Sequence, residues 1–379
     1  MHILRSRTTL TAVAGLLVVG LAIGATAAIL SPGAEAAPLP SPTLSPSASP
    51  TASPTPSPSP TPTPAPAAYC PLSGLPLGDA ALAERMPMLV QVENNPIARP
   101  PSGLNLADLV IEAPVEGNTT RFSAVYACHS ALPAAVGPVR SMRYFNLDLW
   151  QQLRGLTFGF GGGWAVLNRF GANGMPYVNG IEGNFDFYHR TGPWPAPHNV
   201  YLDVDAARSA IEPGGRLEQH AALAGEPRGP FAFDDDPALP DDGRPVGSVE
   251  LQTASIWRFG WESDAETGDW LRTDDVAPNF DAITNERLSA RSVLVQLVRE
   301  EVLWNELDAS GSPRRDQYLV DDGAGVLYVD GHAYDLRWSR PSSSDLTTWT
   351  YAASGDPLVL PRGRVWWEIV PVGSTVTEE

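Results

Sequence analysis

The chain has 379 residues and a formal charge of −18, so a nucleic-acid binder relying on a basic surface is excluded. All 25 of its Lys and Arg residues are arginine. Without lysine, Schiff-base, P-loop and protein-kinase chemistries are excluded too.

Arg5 and Arg7 precede an uncharged, moderately apolar stretch over 8–30, and Ala34-Glu35-Ala36 offers a small-x-small cleavage site. Residues 1–37 therefore read as an export segment, either a signal peptide or an N-terminal membrane anchor. The basic flank keeps that end inside and places the rest outside. Residues 38–68 alternate Pro with Ser, Thr and Ala, and 12 of the 38 prolines fall between Pro38 and Pro66. Such a proline-rich segment has nothing to bury and reads as a disordered, extended stalk. The expected location is extracytoplasmic, membrane-anchored at the cell surface or secreted.

Residues 69–232 read as a mixed α/β domain. Strands are expected over 88–92, 109–115 and 121–128, the last apolar on both faces and so central. Helical patterns follow over 139–153, after Gly137-Pro138, and over 164–170, after Gly161-Gly162-Gly163. A short strand over 199–202 leads to a helix capped by Asp203 or Asp205, which must stop by Pro213-Gly214-Gly215. Acids and breakers over 233–247 mark an acidic linker. Residues 248–379 are mostly strand, over 248–253, 292–298 and 365–370, with a hairpin at Asp330-Gly331. Most of the 11 tryptophans lie here, as expected for the core of a small β domain. The fold class is α+β: an N-terminal mixed α/β domain with a central sheet, then a smaller, mainly β C-terminal domain.

The usual catalytic motifs HExxH, GxSxG and CxxC are absent. Gly159-Phe160-Gly161-Gly162-Gly163-Trp164 puts tryptophan where the dinucleotide fingerprint needs its third glycine, so a tight strand-to-helix turn is expected. The two cysteines, Cys70 and Cys128, are a disulfide candidate outside the cytoplasm, with two unpaired thiols as the alternative. Glu112 and Glu116 share a face of one strand but stand roughly 13 Å apart. A glycosidase pair needs roughly 5–9.5 Å. Gly137-Pro138-Val139-Arg140-Ser141-Met142-Arg143 places Arg140, Arg143 and a hydroxyl in the first turn of the expected helix, where an anion is favoured. Glu112 or Glu116 could instead pair with these arginines in a structural network. His189 and His198 stand nine apart without a clean third ligand, so no metal and no cofactor is expected. The rigid Pro197-His198-Asn199 could present an imidazole as general acid or base.

Cys70-Pro71-Leu72-Ser73-Gly74-Leu75, Ala98-Arg99-Pro100-Pro101-Ser102-Gly103-Leu104, Ala107-Asp108-Leu109-Val110, Val115-Glu116-Gly117 with Thr120-Arg121-Phe122, Val136-Gly137-Pro138-Val139-Arg140-Ser141-Met142-Arg143 and Ala196-Pro197-His198-Asn199-Val200-Tyr201 together resemble the YerB-like family. Its members are bacterial extracytoplasmic proteins, many of them lipoproteins, with an uncharacterised N-terminal domain and a smaller β-rich C-terminal one. The resemblance is looser in the second region, where Trp270-Leu271-Arg272 and Ser292-Val293-Leu294-Val295-Gln296 carry it. It implies Glu116, Arg121, Arg140, Ser141, Arg143, His198 and Asn199 as a shared polar set, and no activity. The lipid-anchored cysteine typical of many members is missing, and the apolar segment plus stalk stands in its place.

Three readings follow. One is a binding or scaffolding module for an anionic envelope component, such as a cell-wall glycan or peptide. There Arg121, Arg140 and Arg143 hold the anion while Ser141 and Asn199 orient it. The second is an envelope hydrolase acting on a glycan or phosphodiester, with His198 or Glu116 as acid/base. The third is a structural protein whose polar set is a buried network without a small ligand. Partners are thus an anionic envelope ligand, and the membrane through the N-terminal segment.

Overall fold

The structure is a computed structural model that describes residues 68–253, 258–275 and 277–379. The expected export segment and all but the last residue of the expected stalk lie outside the described residues. Among the described residues no helix is long and apolar enough to cross a membrane. The first half contains β1 (Met88–Glu93), β2 (Leu109–Val115), β3 (Thr119–Tyr126), α1 (Phe145–Leu153), β4 (Leu156–Gly159), α2 (Trp164–Ala172), β5 (Tyr177–Asn179) and α3 (Val204–Ile211). The second half supplies β6 (Ser248–Gln252), β7 (Phe259–Ser263), β8 (Trp270–Asp274), β9 (Ser292–Leu307) and β10 (Pro313–Tyr318). It continues with β11 (Asp322–Val329), β12 (His332–Ser339), β13 (Val365–Pro371) and β14 (Thr375–Glu378). Strands outweigh helices, and the class is α+β.

One large sheet runs through both halves in the order β12-β11-β9-β13-β2-β3-β1-β4-β5. Near the end of the chain, β13 inserts between β9 and β2, parallel to both. Its Val365 to Glu368 stand opposite Leu109 to Glu112 of β2. Side chains alternate between the two faces, as strand geometry requires. Val110, Phe122, Val293 and Trp366 pack on one face under the second sheet, β8-β7-β6-β14, which adds Leu251, Trp261 and Trp270. Ile111, Ala113, Leu294 and Trp367 line the other face, with Phe145, Leu149 and Leu153 of α1. Buried on both faces, β2 and β13 read as apolar runs.

Strand direction positions the site. β2 and β1 are each antiparallel to β3, β4 and β5 are parallel to β1, and β9 and β13 are parallel to β2. Six strands therefore deliver their carboxyl ends to one edge of the sheet. In open α/β sheets that edge is where ligands bind. β9 continues past its last partner in β13 and folds back through β10 as a hairpin over the same edge.

Residues 139–143 lie outside any helix, Tyr144 is the N-cap of α1 and the helix begins only at Phe145, which corrects the helix expected from 139. Neighbours on both sides explain the difference. Arg140 donates its N–H to the Gln91 carbonyl at 2.8 Å, while its own carbonyl accepts from Phe160 at 2.9 Å. Met142 donates to the Gly161 carbonyl at 3.0 Å. With lateral partners available, the segment has no need of helical ones. Arg140 therefore lies on a strap across the carboxyl edge, while Arg143 stands just before the Tyr144 cap of α1 and donates its N–H to Asn146 Oδ1 at 2.7 Å.

At the opposite end of β3, Cys70 and Cys128 are joined with Cα atoms 5.7 Å apart. Asp108 accepts the N–H groups of Ala127 and Cys128 at 2.7 and 3.0 Å. Burial raises its carboxyl pKa, opposed by His129 at 3.2 Å. With both sulfurs in the bridge, Cys70, Asp108 and Cys128 do not form a thiolate ligand set.

Candidate functional site

Three pieces of chain converge at the carboxyl edge. Glu93 ends β1, Glu116 follows the last residue of β2, and Arg121 stands opposite Glu93 on β3. The 139–144 strap crosses these ends, and the His198 loop closes over the strap where Val139 donates to the Val200 carbonyl at 2.6 Å. The loop after β4, with Gly161 and Gly163, presses on from the other side. A Cβ on Gly161 would lie 2.8 Å from Ser141 Oγ, and one on Gly163 would lie 2.2 Å from Arg314 Nη2. Both glycines also have positive φ, 99° and 80°. The backbone conformation therefore requires glycine here, and a Cβ would also have to displace the Arg314 guanidinium or the Ser141 hydroxyl.

The charged groups form two clusters. In the first, Glu93 Oε1 lies 3.2 Å from Arg140 Nε and Glu93 Oε2 lies 2.9 Å from His198 Nδ1. Glu93 is buried, while the side chains of Arg140 and His198 remain 28% and 17% exposed. In the second, Glu116 accepts from Arg143 Nε on one oxygen and from Arg314 Nη1 at 3.1 Å on the other. Arg121 lies between the clusters, within the fields of both carboxylates and of Arg140 and Arg143. Its Nη1 donates to the Ser141 carbonyl at 3.2 Å, whereas its buried Nε has no partner. Burial and the neighbouring arginines push its pKa down to about 9. Burial also lowers that of Arg143, against the pull of Glu116. Ser141 Oγ donates weakly to the Phe160 carbonyl at 3.4 Å, and Asn199 accepts from Arg190 at 2.8 Å.

Four guanidinium groups and an imidazole thus crowd around two carboxylates, with Asp308 acting on Arg143 from the hairpin. An anion arriving at this edge meets charge-assisted donors of fixed charge and planar geometry. The Glu93–His198 pair also orients an imidazole, the arrangement that general acid/base chemistry uses.

Six of the seven residues expected to form the polar set meet at this edge, with Glu116 on Arg143 as the network reading allowed, while Asn199 follows His198 in the loop and turns its side chain to Arg190. His198 takes Glu93 as its carboxylate, and Glu116 is taken up by Arg143 and Arg314. Glu112 joins neither cluster: it is bound by Arg272 from the second half, at 2.8 and 3.0 Å. Sequence reasoning missed Glu93 and Arg314. A polar residue ending the apolar run 88–92 was a usable signal for Glu93. Arg314, 198 positions from Glu116, had no local signal. His189 is exposed on a short strand paired with Val200–Leu202.

Comparison with known proteins agrees with this architecture. Residues 72–216 match the N-terminal domain, and residues 249–367 the C-terminal domain, of the family described as protein of unknown function DUF3048. The YerB protein of Bacillus subtilis (strain 168) is 28% identical over 305 residues, 79% of this chain and 86% of its own. The crystal structure of YerB from Bacillus subtilis shares the fold, with a TM-score of 0.67 at 24% identity. That match covers 82% of this chain and 99% of that one. The chain belongs to the DUF3048 family, the YerB-like proteins of unknown function.

Proposed function

We propose that this is a surface-tethered envelope protein whose arginine-lined edge binds an anionic envelope component, a wall glycan or peptide bearing carboxylate or phosphate. Arg121 carries the reading. Its buried guanidinium makes one hydrogen bond, to a backbone carbonyl, and has no carboxylate of its own among the described residues. Purely structural buried charges are normally paired, so a partly satisfied cation beside a surplus of arginine favours an incoming anion. The partly exposed Arg140 gives the ligand access, and Ser141 and Asn199 add polar contacts. Tethering outside the cell is supported by the Arg-flanked apolar segment and proline stalk, and by a relative whose name carries the word lipoprotein.

The test is retention of the full-length protein on purified cell wall, with inorganic phosphate as competitor. Arg121→Met and Arg140→Gln should each lower retention about tenfold, the effect of losing one charge-assisted contact. Wild-type retention in both variants would refute the reading.

The Glu93–His198 contact favours a second reading, hydrolysis of a wall glycan or phosphodiester with His198 as acid/base. Turnover of wall fragments that disappears in both His198→Ala and Glu93→Gln, with retention kept, is the outcome it requires. Absence of turnover in the wild type removes it.

A further inference from the structure

Resting on the anion-binding reading, we infer that the ligand is a saccharide carrying its acidic group on a sugar ring, and that Trp164 is the platform for that ring. Trp164 begins α2 directly after the glycine loop and is 81% exposed. Five other tryptophans, Trp261, Trp270, Trp338, Trp366 and Trp367, are fully buried, which is the ordinary fate of so large an apolar group. The indole follows Gly163, which lies against Arg314, and Gly161 of the same loop lies against Ser141 and Ile181. Ile181 is itself 63% exposed. The glycine loop that abuts Arg314 and Ser141 is thus followed at once by an uncovered aromatic and touched by an uncovered aliphatic side chain.

An apolar face beside fixed guanidinium donors suits a ligand with a flat C–H face and an anionic substituent, and a sugar acid or sugar phosphate has both. An anionic membrane surface would meet the same groups less well. The described chain is strongly acidic, with most of the net charge in residues 231–379, so an extended anionic plane repels the whole molecule. A single bound group senses chiefly the local cluster, because longer-range charge is screened.

Trp304 supplies an internal control. It is 76% exposed, but it follows Leu303, the residue opposite Arg314 in the hairpin. Trp304 lines a hollow with Val302 and Arg315, the pair next to Leu303 and Arg314 and so on the other face of the hairpin.

Retention of the full-length protein is measured on peptide-free glycan strands of purified cell wall. Affinity for inorganic phosphate and for vesicles of equal phosphatidylglycerol and phosphatidylethanolamine is measured alongside. Trp164→Ala should weaken strand binding at least about tenfold, the loss expected of an aromatic anchor, and phosphate binding less than about twofold. Trp304→Ala should leave both unchanged. Equal strand binding by wild type and Trp164→Ala overturns the inference, and so does an equal loss in both tryptophan variants. Vesicle binding that falls at least about tenfold in Trp164→Ala overturns it in favour of a membrane contact, since the N-terminal segment is the same in both proteins. If wild type binds phosphate and no strands, the saccharide inference fails while the anion reading stands. If it binds neither, both fail.

Discussion

Two glutamates four residues apart, Glu112 and Glu116, meet opposite fates. Glu112 lies inside the sheet, 1% exposed, and is gripped at two oxygens by Arg272, which is fully buried. Asn94, Thr120 and Trp366 complete its hydrogen bonds. Arg272 also reaches Asp274 at 2.9 Å and lies over the rings of Phe122, Phe259 and Trp366. Every charge in this knot has a close partner, and the knot joins β2 of the first half to β8 of the second. Glu116 lies just past the strand end, its side chain equally buried, but with Arg143, Arg314 and Arg121 around it. The same residue type is a structural pin at one position and part of a candidate ligand site at the other. What separates them is whether the surrounding guanidinium groups are all paired.

The largest expected effect lies in the closed knot. Arg272→Leu leaves Glu112 charged and unpaired in the sheet and should cost about 3–5 kcal/mol, read from urea unfolding. A loss below about 1 kcal/mol would erase the contrast. At the open edge, Glu116→Gln leaves Arg143 and Arg314 without their carboxylate. It should cost about 1.5–3 kcal/mol, with the hairpin amides of β10 gaining hydrogen exchange first.

Glu368 sharpens the comparison through pH. It stands opposite Glu112 on β13, and burial together with the Glu112 charge raises its pKa well above the usual carboxylate range. The folded protein therefore holds a proton that the unfolded chain releases near pH 4.3. Its contribution to stability is full below that pH and is lost as pH rises towards the folded value. Glu368→Gln mimics the protonated form. It should remove this decline and change stability at pH 5 by less than about 1 kcal/mol, as compared in paired urea titrations at several pH values.

The smallest stability change belongs to Arg121→Met, within about 1 kcal/mol or a slight gain at pH 7. With its folded pKa pushed down to about 9, Arg121 weakens the wild type while it is protonated. Wild-type stability should therefore rise relative to the variant as pH climbs above about 9 towards the higher value of the unfolded chain.

Local elements were legible where a residue's own neighbours decide the structure. The strand over 109–115, the Asp330-Gly331 hairpin and the Asp203 cap of α3 all read directly, because alternation, a positive-φ turn and a side-chain cap are short-range effects. The failure over 139–144 is equally instructive. Its helical pattern was overridden by Gln91, Phe160 and Gly161, partners that nothing nearby in the chain announces. The insertion of β13 beside β2 and the reach of Arg314 to Glu116 are long-range pairings of the same kind. For the site, residue identities were readable and most partners were not: the arginine partner allowed for Glu116 is Arg143, whereas Glu93, the carboxylate on His198, went unread.

The central claim, that the open cluster is kept for a ligand, is tested most directly on one preparation of Arg121→Met, assayed for both unfolding free energy and retention on purified cell wall at pH 7. The account predicts unchanged or slightly higher stability with retention at least about tenfold lower. A variant that loses several kcal/mol, as expected of Arg272→Leu, and is retained like the wild type would place Arg121 in a second structural knot and contradict the account.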